Sequence, residues 1–128
     1  MAYYYTGKLI SDLEEINTAI KSVLCKLDNL ISDENLLFDI RIIINELMIN
    51  GYEHGNCYDT QKHLDLRLAI NESRIRIQVV DEGNGINYDC FKYNPYSMKT
   101  TGRGLKIVKE LSDELIINNN SITAIINK

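Results

Sequence analysis

Apolar positions along the chain follow two periods, and the changes between them mark out the elements. Tyr3 to Ile10 has the length and residue types of a short first strand. From there Leu13, Ile16, Ile20, Val23, Leu24, Leu27 and Leu30 recur at helical spacing, so one face of this helix is buried. Ser11-Asp12-Leu13-Glu14 ahead of it reads as a capping box, with Ser11 as N-cap and Glu14 reaching back. A second stripe, Leu36, Ile40, Ile43, Ile44 and Leu47, predicts a helix from Ser32 or Asp33 to about His54. Gly55-Asn56 supplies its stop.

The period then shortens to two. Leu64, Leu66, Leu68 and Ile70 alternate with polar residues, Asn71-Glu72-Ser73 turns the chain, and Ile75, Ile77 and Val79 alternate on the way back. This pattern predicts an antiparallel hairpin with one apolar face. Residues 86–101 follow neither period. Leu105, Ile107, Val108 and Leu111 predict a third helix from about Gly102, and 115–117 with 122–126 a last hairpin across Asn118 to Ser121. The apolar faces must meet, and an α+β fold meets that demand: a two-layer α/β sandwich, its mostly antiparallel mixed sheet carrying three main helices on one face. No repeat, low-complexity tract or linker divides the 128 residues, which fit a single domain.

Composition acts mainly by exclusion. Hydrophobic residues at 45% and charged residues at 25% argue against disorder. A net charge of -4 argues against a sequence-independent grip on nucleic acid, which needs clustered Lys and Arg. Cys25, Cys57 and Cys90 are far apart and form no CxxC pair, so reduced thiols are expected rather than a zinc site or a disulfide framework. The opening tyrosines and early charge lead to the expectation of no signal peptide, and no stretch approaches the roughly 20 apolar residues that span a bilayer. A soluble, cytoplasmic protein is the expectation.

Three segments carry candidate chemistry. Glu46, Asn50 and His54 stand four residues apart, which in an α-helix puts them on one side, a turn apart, beside the apolar stripe. An interior Asn is a poor helix former and wants a reason to be there. Asp81-Glu82-Gly83-Asn84-Gly85 follows a strand: two glycines let backbone approach a flat ligand, and Asp81 can accept from an exocyclic amine. Thr101-Gly102-Arg103-Gly104-Leu105 opens a helix, where bare backbone N–H groups and the dipole favour an anion. Lys99, Thr101 and Arg103 add donors for phosphate oxygens. Each segment taken alone has a plain reading, as a solvated helix face, a surface turn and a Gly-rich helix entry.

In this order and content the three segments resemble the GHKL (Bergerat-fold) ATPase superfamily, from roughly Leu36 to Asp113. The stretch from Asn45 to Asn56 looks like the N box of the small anti-sigma-factor serine/threonine kinases, and Gly102 to Asp113 is similar to their second glycine box and its helix. By that resemblance the ligand is Mg-ATP. Asn50 would coordinate Mg²⁺, Asp81 would bind the adenine amine, and Gly83 and Gly85 would wall the base. Gly102, Arg103, Gly104 and Leu105, with Lys99 and Thr101, would hold the phosphates. Glu46, one turn before Asn50, would serve as general base or orient the attacking hydroxyl. Residues 86–101 would be the nucleotide lid. The chain departs from the pattern in two places. Lys99-Thr100-Thr101 stands where some members carry an arginine, leaving Lys99 or Arg103 for the γ-phosphate. Gly51 stands in place of the usual Ala after Asn50.

The resemblance implies a kinase that phosphorylates a small anti-sigma-factor antagonist and restrains a sigma factor. A non-catalytic ATP-dependent switch is the alternative, and Glu46 argues against it because a switch has no chemical need for that carboxylate. A stand-alone histidine-kinase-type catalytic domain is the third reading. It fits less well: His54 lies in the N box and His63 begins a strand, leaving no histidine for a dimerisation helix. Related small kinases often pair, so a homodimer is also implied. Neither direct nucleic-acid binding nor a membrane is.

Overall fold

The computed structural model describes residues 2–83 and 101–128. Five strands form one sheet in the order β1-β2-β3-β5-β4: β1 (Tyr3–Ile10), β2 (His63–Ile70), β3 (Arg74–Val80), β4 (Glu114–Ile117) and β5 (Ser121–Asn127). Every pairing is antiparallel, so the sheet is not mixed among the described residues. Helices α1 (Leu13–Leu30), α2 (Glu34–Asn50) and α3 (Thr101–Leu111) pack on it, giving the expected α+β sandwich.

The alternation read from the sequence decides which face they cover. Leu64, Leu66, Leu68 and Ile70 on β2 and Ile75, Ile77 and Val79 on β3 are all buried, as are Ile122, Ala124 and Ile126 on β5. Ile16, Ile20, Val23 and Leu27 of α1 and Ile40, Ile43, Ile44 and Leu47 of α2 close the core from the other side. Leu13, assigned to that stripe by spacing, is 45% exposed because it opens the helix beyond the sheet's cover. No helix among the described residues is long and apolar enough to cross a membrane.

The helix ends depart from the expected boundaries in informative ways. The N-cap of α1 is Asp12, whose carboxylate accepts from the Glu15 backbone N–H at 3.3 Å; Ser11 is not the cap. The Ser11 N–H donates to the Lys62 carbonyl at 2.9 Å, a rung beyond the β1–β2 ladder that keeps Ser11 with the sheet. Asp33, one of the two expected starts, caps α2 through the N–H groups of Asn35 and Leu36. At its far end α2 does not run on to His54. The chain widens into a π-turn over Gly51–Gly55, closed by the Asn56 N–H on the Gly51 carbonyl at 2.7 Å.

Gly51 has a packing reason at this point. A β-carbon there would lie 2.8 Å from Leu64 Cδ2 and 3.3 Å from Val79 Cγ1, so bare backbone lets the helix end settle on β2 and β3. Beyond the π-turn, Cys57 and Tyr58 hold positive φ values of 53° and 64°, and the Tyr58 ring meets Tyr52 edge-on at 5.3 Å. Cys57 is disulfide-bonded, whereas Cys25 is free and exposed. The expectation of reduced thiols therefore holds at Cys25 and not at Cys57.

The central strand should carry the largest packing cost. Ile77→Ala, at a fully buried position on β3, is expected to cost about 3 kcal/mol. In thermal melts that is a fall in Tm of roughly 10 °C, while Arg67→Ala on the exposed face should move stability by no more than about 0.5 kcal/mol.

Candidate functional site

Two contacts join the candidate segments: the π-turn after α2 meets the Asp81-Glu82-Gly83 turn where β3 ends, and the start of α3 meets Glu46 of α2. The β3–β5 register places Val80 opposite Ser121, and the Asp81 N–H extends that ladder to the Asn120 carbonyl at 2.8 Å. Asp81 is thus the first residue past a buried strand, 8% exposed.

Its carboxylate is closely constrained. Oδ1 accepts from the Gly83 N–H at 2.8 Å and from the Asn120 side-chain amide at 3.2 Å. Oδ2 takes no hydrogen bond among the described residues and lies over Gly55, where a β-carbon would collide with it. A β-carbon on Gly83 would in turn collide with the Gly55 carbonyl. The two glycines therefore let the π-turn and the strand end touch backbone to backbone. Burial pushes the Asp81 carboxyl above its ordinary range; the Gly83 N–H, the Asn120 amide and the Lys62 charge pull it back.

Asn56 ties the same turn down from the other side. It is fully buried, its Oδ1 accepts from the Glu82 N–H at 2.8 Å, and its Nδ2 donates to the His63 carbonyl at 3.0 Å. The Glu82 carboxylate accepts from the His63 backbone N–H at 2.6 Å, which holds its pKa below the ordinary value, and its other oxygen lies 4.0 Å from Lys8 Nζ. Asp81 and Glu82 thus have different tasks: Glu82 fastens the turn to β1 and β2, and Asp81 keeps an oxygen uncommitted among the described residues.

The N box meets the second glycine box. A β-carbon on Gly104 would strike Glu46 Oε2, so the first turn of α3 sits directly against that carboxylate. Burial, then the charge of Glu53, raise the Glu46 pKa. Asn50 ends α2 at 5% exposed, one turn beyond Glu46. His54 does not continue their line, because the α-helical period stops at Asn50. Its ring is held 3.6 Å from the Glu53 carboxylate, and burial lowers its pKa. Leu105 is half-buried against the core. Thr101, Gly102 and Arg103 lie in the first turn of α3, while Gly85, Lys99 and the lid expectation for 86–101 fall wholly or almost wholly outside the described residues.

The structure thus brings Gly104 against Glu46, one turn before Asn50, and Gly83 with Gly55 against Asp81, and it adds two residues that the sequence reading passed over. Asn56 reads as a helix stop and Asn120 as a hairpin turn, and both side chains in fact serve Asp81 and its turn. The signal that finds Asn120 is register: once β5 is known to pair with β3, residue 120 must face residue 81.

Comparison with known proteins agrees with this geometry. The chain belongs to the histidine kinase-like ATPase domain family, which matches residues 9–126, and so to the GHKL superfamily. It is similar to the serine-protein kinase RsbW of Bacillus subtilis (strain 168), 27% identical over 92 residues, covering 65% of this chain and 58% of that protein. It is also similar to the sensor histidine kinase GlnK of the same organism, 36% identical over 94 residues, covering 65% of this chain and 22% of that protein. The matches therefore span less than two thirds of either relative's length.

Glu46 gives a stability prediction whose sign follows from its raised pKa. The folded chain holds this proton to higher pH than the unfolded chain, whose value is near 4.5. Stability from this group is fully present below the unfolded value and is lost as pH rises through the folded one. Glu46→Gln is therefore expected to raise Tm near neutral pH, with the gap closing as pH falls toward the unfolded value. Melts of both proteins across that range check it, and a gap that does not change with pH would count against the buried-carboxylate account.

Proposed function

We propose that this protein binds Mg-ATP in the cleft bounded by Glu46, Asn50, Asp81, Gly83 and Gly104 and phosphorylates a serine or threonine of a small antagonist protein. In this reading it is an anti-sigma-factor-type kinase, with a sigma factor as the second partner. The observation that carries the proposal is the seating of Gly104 against the Glu46 carboxylate. A helix N-terminus that favours phosphate then lies beside a group able to take a hydroxyl proton, and a pure binding switch has no use for that pairing. The likeness to a protein named serine-protein kinase supports the acceptor type.

The residues fit the ligand. Asp81 has one oxygen engaged and one uncommitted, suited to an amine, and Gly55 and Gly83 add no side-chain bulk beside it. Asn50 offers a nearly buried amide oxygen, the hard donor that Mg²⁺ prefers, and one such ligand with phosphates and water suffices. When bound, the ion neutralises phosphate charge. The chain's own part is to orient the base through Asp81, hold phosphates at the α3 N-terminus, and accept the attacking hydroxyl's proton at Glu46, whose raised pKa brings it nearer to working pH. Gly102, Arg103 and Thr101 are assigned to the phosphates from their place in α3, together with Lys99, and Gly85 to the base.

The test measures transfer of labelled γ-phosphate to a co-purified small partner. The unmutated protein should transfer, and Glu46→Gln should lose about 10²–10⁴-fold in rate while still binding ATP. If the unmutated protein transfers phosphate to no partner while sigma-factor binding follows nucleotide state, the switch reading replaces this one. Asn50→Ala, measured by calorimetry with and without Mg²⁺, should abolish the metal dependence of ATP binding. It should also keep the fold, with helix propensity improved by a few tenths of a kcal/mol; a collapse of Tm would make Asn50 a structural amide.

A further inference from the structure

We infer that Asn120 sets the base selectivity of this site by fixing which oxygen of the Asp81 carboxylate is left to accept from a nucleobase. The inference rests on the adenine reading proposed above.

The three asparagines of the β4–β5 turn are not equivalent. Asn118 and Asn119 are exposed, and Asn120 is half-buried. The turn itself closes through the Asn118 N–H on the Ser121 carbonyl at 2.9 Å, with no help from the Asn120 side chain. Asparagine is common in turns because it tolerates the left-handed region. Asn120 is not in that region; among the described non-glycine residues only Cys57 and Tyr58 have positive φ. Its backbone therefore asks for no asparagine, and the reason lies in the side chain.

That side chain spends both amide hydrogens on the Asp81 turn. Nδ2 donates to Asp81 Oδ1 at 3.2 Å and to the Gly83 carbonyl at 2.5 Å. Both partners are acceptors only, so the amide has one workable orientation; flipped, it would set oxygen against oxygen. With the Gly83 N–H also on Oδ1, this oxygen is saturated from two sides and the carboxylate is locked about its terminal torsion. Among the described residues Oδ2 alone remains, over bare glycine.

The lock matters because the two purines differ at the edge an acceptor reads. Adenine presents an amine there and guanine a carbonyl oxygen. A charged acceptor held in one direction gains from the first and repels the second. Without Asn120 the carboxylate loses a donor that favours its charged form and is held by the Gly83 N–H alone, and either change blunts the discrimination.

The experiment compares ATP and GTP affinities by calorimetry for the unmutated protein, Asn120→Ala and Asn120→Asp, with thermal melts alongside. Asn120→Asp keeps size and turn propensity and replaces the donor with a second carboxylate. The unmutated protein should prefer ATP. Asn120→Ala should lower the ATP-to-GTP affinity ratio about tenfold, mainly through ATP, and Asn120→Asp should lower it further. GTP affinity serves as the internal control, since general damage to the fold or phosphate site lowers both nucleotides together. Equal ATP and GTP binding by the unmutated protein overturns the adenine reading and this inference with it. A preference for ATP that survives in both variants, or a parallel loss of both nucleotides, overturns the inference alone.

Discussion

The architecture of the site depends on one steric requirement: the end of helix α2 must come within backbone contact of the end of strand β3. Side chains at residues 55 and 83 would forbid it, because a β-carbon on Gly55 falls on the Asp81 carboxylate and one on Gly83 falls on the Gly55 carbonyl. The π-turn brings the helix end to this position, and Gly51 lets the turn lie flat on Leu64 and Val79. Glycine in a helix interior costs roughly 0.5–1 kcal/mol relative to alanine. That cost is offset by the burial of α2 on the sheet, where Ile40, Ile43, Ile44, Leu47 and Met48 lose almost all contact with water.

Bringing backbone so close creates a polar problem, since the Asp81 carboxylate and the N–H groups of its turn lose water together. Two asparagines resolve it from opposite sides. Asn56 serves the Glu82 N–H and the His63 carbonyl, and Asn120 serves Asp81 and the Gly83 carbonyl. The carboxylates that remain strained are those at the cleft: burial raises both Asp81 and Glu46, and Glu53 adds to the burden on Glu46. Strain of this kind is common where charged groups are kept for work rather than for stability.

Much of this was legible in the sequence. Period-two alternation in residues 64–79 determined the hairpin and its buried face, and helical spacing located all three helices, because burial of one face writes itself into any amphipathic element. Glu46, Asn50, Asp81, Gly83 and Gly104 were identified as a set, and among them Gly104 meets Glu46 and Gly83 meets Asp81. Other features depended on tertiary information. The cap of α1 moved from Ser11 to Asp12 because a rung to Lys62 claims the Ser11 backbone. The π-turn broke the alignment of His54 with Asn50, which no periodicity in residues 36–54 announces. Asn56 and Asn120 have the composition of ordinary stops and turns, and only the pairing of β5 with β3 gives them a task.

The interlock of residues 55, 81 and 83 also has an evolutionary meaning. Each position is restricted by an atom of another member of the group, so no one of them can drift in size while the others stand still. Because these contacts lie within the chain itself, a lineage that changed one of the three would have to reshape the meeting of helix end and strand end as a whole. Among descendants of this fold, glycine at 55 and 83 should therefore be inherited or abandoned together with the aspartate. Their joint presence would mark which lineages keep this backbone contact, long after overall identity has faded.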